Sequence, residues 1–93
     1  MKITSLRLVT NPRRWECGDT LLAFFNVNVA GVQMRDCMLI RGGRTGELIA
    51  QPPRGETARG ERAVRFVDPQ TRKAISEAAV QAFLDLGGDV EAA

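Results

Sequence analysis

The chain has no histidine and no tyrosine, and among its 93 residues it holds one tryptophan, two cysteines and two lysines. Without an imidazole, neither a Ser-His-Asp triad nor a His-ligated metal site can be assembled in one chain, and the usual proton carrier near neutral pH is missing. Cys17 and Cys37 have no second pair, so a zinc ribbon or a CxxC redox site lacks its spacing, and both read as buried thiols. The longest uncharged stretch, Thr20 to Met34, is fifteen residues interrupted by Asn26 and Asn28. A membrane span needs ~20 apolar residues. The start also lacks the apolar core of a signal peptide, so a soluble, cytoplasmic chain with no membrane partner is expected. No catalytic residue, metal, cofactor or small-molecule substrate is assigned.

What is present is ordinary for a globular protein: 44% apolar and 26% charged residues, in a length that suits one domain. Lys2 to Val9 is mixed and β-branched and is closed by Asn11-Pro12, which predicts a first strand. In the next segment Leu21, Ala23, Phe25, Val27 and Val29 fall on one face at period two; Leu22 and Phe24, then Asn26 and Asn28, fall on the other. Ala30-Gly31 predicts a hairpin turn into Val32–Ile40, with Val32, Met34, Met38 and Ile40 on one face and Asp36 as an interruption. Gly42 to Gly46 is a turn that lacks the lysine of a phosphate-binding loop, and Glu47–Gln51 is a short strand ended by Pro52-Pro53. Residues 52–60 hold no large apolar side chain and form a surface loop or hairpin arm, after which Arg62–Val67 is a fifth strand.

Asp68-Pro69 then marks a helix start, an N-cap followed by a proline suited to the first helical position. Ile75, Ala79, Ala82, Phe83 and Leu86 share one stripe, and Gly87-Gly88 ends the helix. The fold class is therefore α+β: a small antiparallel sheet of about five strands with one C-terminal helix packed on it, spanning residues 1–88, then a flexible acidic tail at 89–93. One helix covers one face only, so the apolar Leu22 and Phe24 on the other predict a homodimer that packs faces or joins sheet edges.

The ordered segments resemble the SpoVG family, the stage V sporulation protein G or septation regulators. Ile3-Thr4-Ser5-Leu6-Arg7-Leu8 resembles its first strand, Asp36-Cys37-Met38-Leu39-Ile40-Arg41-Gly42 its central strand, and Gly46-Glu47-Leu48-Ile49-Ala50-Gln51-Pro52 its short proline-ended strand. Thr71-Arg72-Lys73-Ala74-Ile75 is similar to the start of its helix, and Ala79-Val80 lies in the apolar run of that helix. The similarity runs from Ile3 to about Leu86 in the same order. It implies a small α+β fold, a homodimer, and binding of DNA or RNA to regulate gene expression, septation or cell division, with no catalysis.

The net charge of +2 conceals an uneven distribution, because residues 1–84 carry thirteen bases against eight acids while Asp85 to Glu91 holds three acids and no base. Arginines in loops and at element ends can hold phosphate oxygens bidentately. The candidate nucleic-acid contacts are Arg54 and Arg72, which fall where the similar family carries basic residues, extended by Arg59 and Lys73. Arg72 and Lys73 stand in the first helical turn, where cations are unfavourable unless a phosphate docks on the free N–H groups or Asp68 and Glu77 pair with them. Trp15 either packs under its loop or stacks on a base, and Asn26 and Asn28 are either solvated or touch base edges. A different reading keeps the same fold as a protein–protein interaction module in a division or regulatory complex, without nucleic acid.

Overall fold

The computed structural model describes residues 1–92 as four strands and a helix in the order β1 (Lys2–Leu8), β2 (Thr20–Val29), β3 (Val32–Arg41), β4 (Leu48–Gln51) and α1 (Pro69–Asp85). The strands form one antiparallel meander in the order β1-β2-β3-β4, and α1 packs across one face of it. This is the expected α+β architecture. Between β2 and β3 the two-residue turn Ala30-Gly31 has φ of 52° and 76°, the doubly left-handed geometry whose twist matches paired strands. No helix among the described residues is long and apolar enough to cross a membrane.

Two bulges overturn the simple period-two reading of β2 and β3. Leu21 pairs with Ile40 but Ala23 pairs with Leu39, so the extra residue Leu22 turns inward and is 1% exposed in the core. Between Phe25 and Val27 the register shifts again, and opposite it Asp36 adopts φ 59° and donates its N–H to Asn26 Oδ1 at 3.1 Å. The bulge reverses the parity of β3. Cys37 and Leu39 therefore join Ala23, Phe25 and Val27 under the helix, where Ile75, Ala79 and Phe83 complete the core. Cys37 is buried, and desolvation, reinforced by the Asp36 carboxylate, pushes its thiol up to about 11. Cys17, read as buried from the sequence, is exposed.

The helix ends are built as their residues require. Asp68 accepts from the N–H groups of Gln70 and Thr71, each at 3.3 Å, and from the Thr71 hydroxyl at 2.6 Å. At the other end Gly87, with φ 82°, donates to the Leu84 carbonyl at 2.9 Å, and Gly88 to that of Phe83 at 2.8 Å, a Schellman stop. A Cβ on Gly88 would overlap the Phe83 ring. Beyond it, in the segment expected as a flexible acidic tail, Arg41 donates to the Val90 carbonyl at 2.6 Å, and Val90 and Ala92 pack against the core. Ala93, the last residue of the expected flexible segment, lies outside the described residues.

The segment 62–67 is not a fifth strand. Residues 55–63 fold as an arm around a turn at 57–60, with one bridge between Glu56 and Arg62, and 64–68 follow without a ladder partner. Pro52-Pro53 ends β4 at Gln51 and removes the N–H groups that a further ladder would need. Phe66 packs against the core instead.

The second face of the sheet is also closed within the chain. Met38 and Ile40, opposite to the helix side, are only 4% and 6% exposed. Trp15 in the β1–β2 connection carries the Arg54 guanidinium at 5.1 Å from its ring centroid. At the sheet end, Gly43 donates its N–H to Asp19 Oδ1 at 3.0 Å, and a Cβ on Gly43 would overlap the Gly18 carbonyl. Of the two apolar residues from which the sequence predicts a face-packed dimer, Leu22 lies in the core and Phe24 carries the Arg7 guanidinium at 5.2 Å from its ring centroid.

Candidate nucleic-acid interface

Beside β4 the chain turns back through the arm and enters α1, which brings three arginines to one place. Arg62 leaves the arm, Arg65 stands three residues on, and Arg72 projects from the first turn of the helix. Together with Gln51, Pro52, Val64 and Phe66 they line a cleft of about 270 Å³ that has, among the described residues, no carboxylate in its wall. Arg62 is steadied by donation to the Pro52 carbonyl at 3.4 Å. All three arginines are exposed. Guanidinium groups keep their charge and present forked donors, so a concave site with three of them and no acid attracts an oxyanion such as a phosphate.

Of the four residues singled out from sequence, only Arg72 belongs to this cleft. Lys73 lines the neighbouring, larger cleft between β4 and the helix, which Arg72 also borders. Arg54 is exposed, but its guanidinium lies over Trp15 and ties the loop layer together. Arg59 sits in the turn at the tip of the arm, where its N–H donates to Thr57 Oγ1. Arg62 and Arg65, which the sequence offers only among the general loop and element-end arginines, are the cleft's other members. Their signal was present in the segment Arg62-Ala63-Val64-Arg65-Phe66-Val67, but assigning it to a strand hid the turn that aims both toward Arg72.

Other expectations change with these contacts. The free N–H groups at the helix start are not offered to a phosphate, because the Asp68 carboxylate already accepts from two of them. These hydrogen bonds, the one from Thr71 first, hold the Asp68 carboxyl below its ordinary range. The resident anion also offsets the unfavourable dipole at Arg72 and Lys73, which leaves their side chains to act alone. One face of the half-buried Trp15 ring is taken by Arg54. Asn26 is spent on the Asp36 bulge. Among the described residues no group of three or more metal-ligating side chains is assembled. No family model, no curated protein and no solved structure matches the chain.

Proposed function

We propose that the protein is a non-catalytic nucleic-acid-binding regulator of the SpoVG type, holding DNA or RNA through its phosphates at Arg62, Arg65 and Arg72. The observation that carries this reading is the convergence of those three arginines on a cleft without a carboxylate. Lys73 and Arg59 add charge around it and Arg54 acts mainly through the loop layer. The sequence resemblance supports the same role in gene expression or division. Phosphate neutralisation releases counterions, so affinity should fall steeply with salt.

A homodimer fits the reading through a sheet edge. The outer edge of β1 is a seven-residue row without a partner strand, whereas β4 has four residues and the Ala50 N–H is taken by Ser76 Oγ at 2.9 Å. We place the second copy on β1, which leaves both clefts open. A sedimentation mass of one 10.2 kDa chain at micromolar concentration would exclude the dimer.

Fluorescence anisotropy with labelled oligonucleotides across a salt series tests the function. Binding should be clear at about 50 mM salt and weaken with a linear dependence on log salt concentration. Arg62→Glu with Arg65→Glu should remove most of it while the circular dichroism of the domain is retained. Absence of binding at low salt, or a flat salt response, overturns the proposal and favours the protein-interaction module.

A further inference from the structure

The cationic cleft is one half of a larger feature. Phe66 and Arg72 are shared with a second cleft of about 620 Å³ between β4 and α1, whose apolar wall includes Leu48, Ile49, Val67 and Val80. Val67 stands at the rim of this cleft and is 84% exposed, which leaves the apolar wall open to a ligand. The two halves differ in charge. The larger cleft balances Arg72 and Lys73 with Glu47 and Glu77, whereas the smaller has three arginines and no acid. A ligand that is anionic at one end and flat and apolar at the other is therefore oriented: its charge goes to Arg62 and Arg65, its apolar body past Phe66 into the larger space.

From this we infer that the site takes single-stranded nucleic acid, with an unpaired base against Phe66 in the β4–α1 cleft and its phosphate on the arginines. A nucleotide carries those two groups a few ångströms apart. In a duplex the base is stacked and paired, so only the phosphate can reach the protein. An unpaired base is free to leave the strand and cover the exposed apolar wall. At the same cleft Ser76, whose oxygen accepts from the Ala50 N–H, keeps its hydroxyl proton to donate, and Gln81, whose amide nitrogen donates to Asp85, keeps its carbonyl oxygen to accept from a base edge. The inference rests on the proposed function, since it names which form of nucleic acid that site takes.

The test compares a labelled single strand with a duplex matched in phosphate number, by anisotropy at several salt concentrations. The single strand should bind about tenfold more tightly, within the range of stacking one base on an aromatic ring. Phe66→Ala should bring its affinity down to that of the duplex, while Arg65→Ala should lower the salt slope by about 0.7 for the single strand. Because Phe66 also touches the core, Phe66→Trp provides a second readout: its added fluorescence should be quenched by the single strand and not by the duplex. Equal affinity for both forms, or a single-strand preference that survives Phe66→Ala together with an unquenched Phe66→Trp signal, overturns the base-in-cleft inference and leaves phosphate binding standing. Binding of neither form overturns both.

Discussion

The two faces of the sheet are closed by different means. On one, a seventeen-residue helix lays Ile75, Ala79 and Phe83 into a wall of buried strand residues. On the other, Met38 and Ile40 are buried and the Arg7 guanidinium lies over Phe24, while two irregular connections meet at a contact between Trp15 and Arg54. The first arrangement repeats along a regular element, so each side chain reinforces its neighbours. The second depends on a few loop contacts and keeps its polar groups near solvent. Loops held by a rigid scaffold are where binding residues concentrate, and here the arm that continues from this layer carries Arg62. Stability is thus concentrated on the helix side, while the charged cleft is assembled where the loops return to the helix.

The largest effect separating the two faces should come from Phe83→Ala, which empties a buried position at the helix stop. A loss of about 3–5 kcal/mol is expected, comparable with the whole stability of a small domain, and urea denaturation measures it. Arg54→Ala removes the tie over the opposite face and should cost only about 0.5–1 kcal/mol, the value of an exposed cation–π contact. It should also weaken oligonucleotide binding less than Arg65→Ala does. If the two stability losses are equal, the loops are as much a core as the helix face is, and the contrast between the faces fails.

Acid gives the smallest and most selective difference. The folded-state carboxyl of Asp68 is held below its ordinary value, so its contribution is present above about pH 4 and is lost as pH falls through the folded value. The stability difference between the wild type and Asp68→Ala should accordingly be constant from pH 5 to 7 and shrink below about pH 4. The Trp15–Arg54 contact has no carboxylate to lose, so Arg54→Ala should show no such change. A difference for Asp68→Ala that stays constant on acidification would mean that the neutral side chain caps the helix as well as the carboxylate does.

What was legible in the sequence is what neighbouring residues decide among themselves. Asp68-Pro69 and Gly87-Gly88 bracket the helix because capping acts within a few positions, and Ala30-Gly31 makes its hairpin for the same reason. The bulge at Asp36 was marked only as an interruption, since its geometry depends on Asn26 across the ladder. Arg62–Val67 reads as a strand from its composition, and composition says nothing of whether a partner edge exists. The candidate site suffered most: Arg72 was found, but Arg62 and Arg65 gain their meaning only from their position beside it.

By itself the sequence determined the absence of imidazole chemistry, the α+β order of elements, the helix boundaries and the excess of arginine, because composition, period and capping are local properties. Only the tertiary structure decided which face each strand residue occupies, that Leu22 turns into the core, and that Arg62, Arg65 and Arg72 share a cleft. Those outcomes depend on contacts between residues far apart in the chain, which are formed when the whole core packs.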